Sequence, residues 1–302
     1  MWRSVIISNG EKISTHENWL VVTQEDGSQE SLPILDLYCV VIDNTNLSIT
    51  VPTLLELVAK QVHVILCDSR HLPSGEIYPL NPNYHALHIL KRQMQITDDF
   101  KSEVWQTITR RKIENQAICL DNAFVDRSIV DYLFHCATEV RGHDRENVEG
   151  RAAKVFFQNL YSQDFKRFQD DPINQALNYG YAIIRSCAAK ALVSYGFNCA
   201  LGIHHCSEVN EFNLADDLME PFRPLVDQYI ASDYEEFQRG LDKKKRSQLV
   251  NLINSRVIFR GKRMQVRNAI ELSAKSLATA FEYNQPSRFC SCDLISEDFV
   301  CG

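Results

Sequence analysis

Gly202–Pro224 reads GIHHCSEVNEFNLADDLMEPFRP and brings two adjacent histidines and a set of acids into one passage from loop to helix. From Leu214 to Phe222 the residues Leu214, Leu218 and Phe222 recur at helical spacing, which predicts a helix with that stripe facing inward. Asp217 and Glu220, three positions apart, then share a neighbouring face. His204 and His205 stand on the approach, just past Gly202. Carboxylates joined by an imidazole, with no thiolate, suit a divalent cation of the magnesium or manganese type, whose ligands are mostly oxygens. The same acids also fit the first turn of any helix, where they complement its dipole, and loop histidines are commonly just solvated.

Two upstream segments bear on that choice. In ENVEGRAAKVFF (Glu146–Phe157), Glu149 opens a helix predicted to turn Ala152, Ala153 and Phe156 inward. Two alanines on that face let the helix lie close to a neighbour, which carries Glu149 toward a shared cleft; taken alone, Glu149 is an ordinary acid at a helix start. DPINQALNYGYAIIR then begins a long helix, with Asp171 as its cap and Pro172 at its first position, where a missing donor costs nothing. Its periodic face runs through Ala176, Gly180, Ile183, Ile184, Cys187, Ala188, Ala191 and Leu192, and Gly196 fits the left-handed residue that stops it. This helix is the expected spine of a second domain. Asn174 and Asn178, one turn apart, are candidates for contact with a phosphate or ligand.

In order and spacing, ENVEGRAAKVFF, DPINQALNYGYAIIR, GIHH and LADDLMEPFRP resemble the CRISPR-associated integrase family, the first-numbered protein of the spacer-acquisition pair, in its type II form. The resemblance spans the whole chain. It implies that Glu149, His205 and Glu220 are both the catalytic residues and the ligands of Mg2+ or Mn2+. His205 rather than His204 falls on the family's pattern of glycine, two residues, then histidine, counted from Gly202. Asp217 is an additional acid, and His204 a supporting or DNA-facing group. The resemblance further implies an enzyme that joins the 3′-hydroxyl ends of short foreign DNA fragments into a repeat array by transesterification. It implies double-stranded DNA, a homodimer and the smaller second acquisition protein as partners. The residues alone do not separate a 3′-hydroxyl nucleophile from water, because one ion and one in-line geometry serve both integrase and endonuclease. They also leave open a non-catalytic DNA-binding scaffold that positions the fragment, and a metal-dependent hydrolase of a small molecule.

Composition narrows the class. Across 302 residues, 32 Lys and Arg against 39 Asp and Glu give a net charge of −7, which excludes a uniformly basic nucleic-acid binder. Phosphate contacts must come from local patches. The densest is Lys243-Lys244-Lys245-Arg246 with Arg256, Arg260, Lys262, Arg263 and Arg267, a candidate path for a polyanion, although such runs also serve as solvated faces. Ten cysteines include Cys39, Cys67 and Cys119 set singly in apolar segments, as buried thiols of a reducing cytoplasm are. No signal peptide opens the chain and no apolar run reaches about 18 residues, so neither export nor a membrane is expected. The tail from Pro286 carries Cys290, Cys292 and Cys301 without the paired spacing of zinc sites, and is expected to be flexible, ordered by a partner.

The expected fold class is α+β, a small N-terminal β-rich domain (1–80) followed by a larger all-α C-terminal catalytic domain (81–302). Strands are predicted at Trp2–Ser8, Lys12–Thr15, Trp19–Thr23, Ser31–Leu35, Tyr38–Ile42 and His63–Cys67. Asn9-Gly10 signals a hairpin between the first two, and Asp26-Gly27 a later turn. Pro52–Gln61 reads as a helix with Leu54, Leu55 and Val58 on one side. Asp43 and Asp68, at strand ends, are either ligands or solvated acids. Pro73–Asn83 has a linker's composition. Beyond it, helices are expected at Tyr84–Met94 (Leu87, Leu90 and Met94 inward) and from an Asp98 cap through Phe100, Val104, Trp105 and Ile108. Arg110-Arg111-Lys112 closes that face as a solvated run. Further helices are expected at Arg127–Val140 (Ile129, Tyr132, Leu133 and Cys136 inward), Asp242–Ile253 and Arg267–Tyr283, with a small hairpin around Gly261.

Overall fold

The change from alternating to helical spacing along the sequence is realised in the computed structural model, which describes residues 3–77, 79 and 86–296. Strands dominate the first part and helices the rest, an α+β arrangement. The chain forms two units, Met1–Pro82 with Asp242–Asn254, and Asn83–Leu241 with Ser255–Gly302. Asp242–Asn254, expected in the second domain, therefore belongs to the first unit. The expected boundary between residues 80 and 81 lies outside the described residues.

The first unit is built on two four-stranded sheets. One takes β1 (Arg3–Ile7), β5 (Leu37–Ile42), β7 (His63–Cys67) and β8 (Pro73–Ile77) in that order, with the first three parallel and β8 antiparallel. The other has the order β4 (Gln29–Pro33), β3 (Trp19–Thr23), β2 (Lys12–His16) and β6 (Ser48–Ile49). Helix α1 (Val51–Ala59) provides the crossover between the parallel strands β5 and β7. Ile13, Leu20, Leu37, Val40, Leu57 and Val64, drawn from both sheets and α1, share one core.

Three expectations are corrected here. Asn9-Gly10 does not close a hairpin, because β1 pairs with β5 and β2 with β3; Gly10, at φ 118°, is where the chain changes sheets. The tight hairpin is β2–β3, turned by Glu17 and Asn18 at φ 48° and 67°. The proposed linker begins as strand β8, whose backbone completes the edge of β7. On α1 it is Leu57 that enters the core while Leu55 stays exposed. Helix α10 (Lys243–Asn251) buries Leu249 and Val250, and its Arg246 donates to Asp43 Oδ2 at 2.9 Å. Asp43 also binds His71 Nδ1 at 2.6 Å, and Asp68 accepts the backbone N–H groups of Arg70 and Leu72, so both acids have structural partners.

The second unit is helical apart from the hairpin β9–β10 (Arg256–Phe259, Lys262–Gln265), turned by Arg260 and Gly261, both at positive φ. Its helices are α2 (Ala86–Gln95), α3 (Asp98–Asn122), α4 (Arg127–Glu139), α5 (Val148–Leu160), α6 (Pro172–Ser194), α7 (Asn213–Met219), α8 (Arg223–Ser232), α9 (Tyr234–Gln238) and α11 (Val266–Tyr283). Spine α6 starts as its sequence predicts, with Asp171 Oδ1 accepting from Asn174 N at 2.9 Å, and stops at Gly196 (φ 87°), where a Cβ would strike the Ala86 backbone. For α3 the cap is Thr97, which accepts from Phe100 N at 3.2 Å, rather than Asp98. Helix α2 is rotated from its expected pose: Ile89 and Gln93 are buried, whereas Leu87 and Met94 are exposed, because the Gln93 amide binds the carbonyls of Asn198 and Leu201. On α4, Val130 replaces Tyr132 on the inner face. In the tail, Phe289, Cys292 and Leu294 are buried and Asp293 is bridged to Ile258; Cys301 lies outside the described residues. The described cysteines are all free thiols. Among the described residues, no helix is long and apolar enough to cross a membrane.

Candidate active site

Three stretches converge on a pocket of about 750 Å³ in the second unit, whose lining includes Glu149, His205 and Glu220. Each acid is placed by local structure. Asp144 accepts from the N–H groups of Val148 and Glu149 at 3.0 and 2.8 Å, capping α5 and fixing the backbone that carries Glu149. Glu220 follows α7 in a one-turn 3₁₀ helix, Glu220–Phe222, where Pro221 cannot continue the α-helical bonding. Asn115 of α3 holds this turn by donating to Pro221 O at 2.7 Å.

Between the two glutamates lies Lys112, whose Nζ is 2.5 Å from both Glu149 Oε1 and Glu220 Oε2. The two oxygens are thus no farther apart than twice that distance, close enough to share one cation. On the other side of Glu220, Arg223 Nη2 lies 3.1 Å from Oε1. Burial acts to raise the Glu220 carboxyl, but Arg223 and Lys112 outweigh it and hold the group below the usual carboxylate range. Burial likewise opposes the Lys112 charge, and Glu220 and Glu149 more than compensate, so its ammonium titrates above the usual range. Lys112 was expected on a solvated run; instead its side chain is 12% exposed, the pairing that a buried charge requires.

His205 owes its orientation to Asp217. That carboxylate is fully buried and accepts from the N–H groups of Ile203 (2.6 Å), His204 (3.1 Å) and His205 (3.1 Å), and from His205 Nδ1 (2.7 Å). With Nδ1 donating to Asp217, the lone pair of the imidazole is on Nε2. The hydrogen bond to Asp217 raises the His205 pKa above the ordinary value, ahead of burial, which acts to lower it. Gly202 is required at the start of this turn because a Cβ there would collide with the carbonyl oxygen of His205. Asp217, read from the sequence as another metal-facing acid, has its oxygens committed to the turn and serves to position His205. His204 points elsewhere, stacked on Trp105 with centroids 4.0 Å apart and planes 3° apart. Burial lowers its pKa.

Two further sequence candidates have other tasks. Asn174 and Asn178 each accept from the Arg167 guanidinium at 2.7 Å, which fixes a loop beside the pocket rather than a ligand. In the basic run, Lys245, Arg246 and Arg267 are buried, whereas Lys243 and Lys244 are exposed on α10 and Arg256, Arg260, Lys262 and Arg263 on the hairpin. Lys154, Lys166 and Arg167 line the pocket together with the aromatic rings of Phe157, Phe165 and Phe168. Deeper in, Asp227 is bonded to the Tyr181 hydroxyl, and burial pushes its carboxyl up to about 7.

The donor set fits a divalent cation. Two carboxylates already share a cationic partner, an imidazole with its Nδ1 committed faces the same pocket, and Glu220 Oε2 is buried without an aligned hydrogen bond, satisfied only by the charge of Lys112. Among the described residues, no three His, Cys, Asp or Glu side chains stand grouped as a metal-ligand set.

The chain is similar to known proteins in sequence and in fold. A relative described as CRISPR-associated endonuclease Cas1, from Neisseria meningitidis serogroup C, is 39% identical over 235 residues, covering 78% of this chain and 77% of that protein. Among solved structures, a Cas1 protein from Thermotoga maritima shares the fold at a TM-score of 0.74 and 17% identity, over 93% of this chain and 97% of that one. A casposase bound to integration product does so at 0.74 and 18%, over 93% and 91%. Residues 4–245 match the profile of the family described as CRISPR associated protein Cas1. The chain therefore belongs to the Cas1 family.

Proposed function

We propose that this chain is an integrase and endonuclease of CRISPR adaptation, dependent on Mg2+ or Mn2+, that joins the 3′-hydroxyl ends of short foreign DNA fragments into the repeat array by transesterification. The observation that carries this reading is the pair Glu149 and Glu220 sharing one cation position in a pocket that His205 also lines. Membership in a family with a relative named as an endonuclease supports it. Glu149, Glu220 and His205 through Nε2 would hold the ion. When bound, such an ion polarises the scissile phosphodiester and helps activate a hydroxyl nucleophile.

The protein's own part is to position and to neutralise. Asp217 keeps Nδ1 of His205 protonated and the ring fixed, so the imidazole need not reorient during reaction. Arg223 balances the second oxygen of Glu220. Lys154, Lys166 and Arg167 give the pocket positive charge toward the phosphate backbone. The aromatic rings of Phe157 and Phe165 limit water beside the reacting groups. The reading includes a cytoplasmic homodimer that acts on double-stranded DNA with the smaller second acquisition protein.

A strand-joining assay on a supercoiled repeat-containing plasmid, with and without metal and the smaller subunit, tests this. Joining should require the metal, and Glu220→Ala should abolish it while DNA affinity stays roughly the same. Unchanged joining by Glu220→Ala would favour the scaffold that only positions DNA. A covalent protein–DNA adduct would contradict direct transesterification.

A further inference from the structure

We propose that Lys112 is a displaceable internal cation: it holds Glu149 and Glu220 together until a divalent ion takes its place, and its ammonium then moves to a phosphate of the bound DNA. The inference rests on the metal reading above and extends it to the coupling between metal and DNA. It starts from a charge balance. Two carboxylates, Glu149 and Glu220, face two cations, Lys112 and Arg223, so the cluster is neutral as it stands. A divalent ion bound to the same two carboxylates would bring two more positive charges to a largely buried position. With Lys112 unmoved, the like charges would repel strongly in a medium much less polar than water. One of the two resident cations has to leave.

Geometry selects which. Arg223 sits against the outer oxygen of Glu220 with its guanidinium over the Tyr181 ring at 4.9 Å, an arrangement that fixes a planar group. Lys112 instead occupies the position between the two carboxylates, at 2.5 Å from each, where a shared ion would bind. Its ammonium ends a flexible four-carbon stem and lines the pocket, so it can leave without disturbing α3. Once released, it is a desolvated cation in need of an anion, and the pocket that takes a scissile phosphate offers one.

Metal and DNA binding are then linked in both directions by this one side chain. Without DNA, Lys112 competes with the ion and weakens its binding; with DNA, phosphate takes up the ammonium and the competition is relieved.

The test compares Mn2+ binding to the full chain by calorimetry, with and without a short duplex, for wild type, Lys112→Met and Lys112→Gln. Glu220→Gln identifies the site by losing the binding. Without DNA, both Lys112 variants should bind Mn2+ about tenfold or more tightly than wild type, within the span of ordinary coupling between sites. DNA should tighten Mn2+ binding to wild type and narrow that gap. The ion-free Lys112 variants should melt earlier than wild type and show a larger rise on adding Mn2+; this second measurement, and the milder Gln variant, guard against loss of folding. Equal or weaker Mn2+ binding by both folded variants means a purely structural ion pair and overturns the proposal. A gap that DNA leaves unchanged overturns the transfer to phosphate. Wild type that binds no Mn2+ at the Glu220-dependent site refutes the metal reading itself, and this exchange with it.

Discussion

Replacing Asp217 by Asn isolates the device that aims His205. The carboxylate accepts four hydrogen bonds while fully buried: Oδ1 from His205 N and Nδ1, Oδ2 from Ile203 N and His204 N. An amide retains one acceptor oxygen. If that oxygen keeps the His205 bonds, an NH2 group must face the N–H groups of Ile203 and His204, so two bonds vanish and three donors crowd together. Hydrogen bonds to a charged group contribute about 1.5–3 kcal/mol each, so the loss is on the order of 4 kcal/mol. For a domain of this size that lowers the melting temperature by roughly 8–16 °C. The imidazole also loses its anionic partner, and disturbing such a partner typically weakens metal affinity about 10–100-fold. Thermal melting followed by circular dichroism and Mn2+ titration below the melting range read the two effects separately. A variant that melts within a few degrees of wild type and binds Mn2+ as tightly would refute this account of the turn.

Two other perturbations follow from buried polar groups. Burial pushes Asp227 from the ordinary 3.8 up to about 7, so between those pH values the folded chain keeps a proton that the unfolded chain has released. Stability contributed by this residue falls as pH rises through that window, by at most about 4 kcal/mol, and is constant above it. Denaturant unfolding at stepped pH should show Asp227→Asn gaining on wild type from about pH 4 to about pH 7. A difference independent of pH would contradict the buried, protonated carboxyl. Asn115, fully buried, donates to Pro221 O and Cys292 O and accepts from Leu294 N at 3.0 Å. Asn115→Ala should cost about 3 kcal/mol or more through the groups left unpaired, and should speed hydrogen exchange at the Leu294 amide. Unchanged exchange there would mean the tail is held by other contacts.

What the sequence reveals and what it hides have different physical origins. Features set by local backbone demands are legible: Asp171-Pro172 as a helix start, Gly196 as its stop, Asp26-Gly27 as a turn and Gly261 as the centre of a small hairpin. Features that depend on which side a neighbour occupies are not. Leu87 and Met94 recur at helical spacing yet stay outside, because the Gln93 amide has carbonyl partners to satisfy and a leucine face has none. Asn9-Gly10 has hairpin chemistry, but β1 finds its partner in β5, far along the chain.

For the site, Glu149, His205 and Glu220 are singled out by the family resemblance of the three segments that bear them, and all three line one pocket. Two things were missed. Asp217 shares a helical face with Glu220 on paper, but the turn of backbone N–H groups at 203–205 claims it. Lys112 reads as part of a basic run, and its register was the available signal: it follows Trp105 by seven residues and Ile108 by four, on the buried side of α3. A cation on that stripe demands buried acids opposite, and Glu149 and Glu220 meet that demand.

Anomalous diffraction from crystals of the protein soaked in Mn2+ bears most directly on the account as a whole. A single strong peak bonded to carboxylate oxygens of Glu149 and Glu220 and to Nε2 of His205, with the Lys112 ammonium moved away, is the predicted result. Saturating Mn2+ that leaves Lys112 between the two carboxylates, with the ion elsewhere or absent, would contradict it.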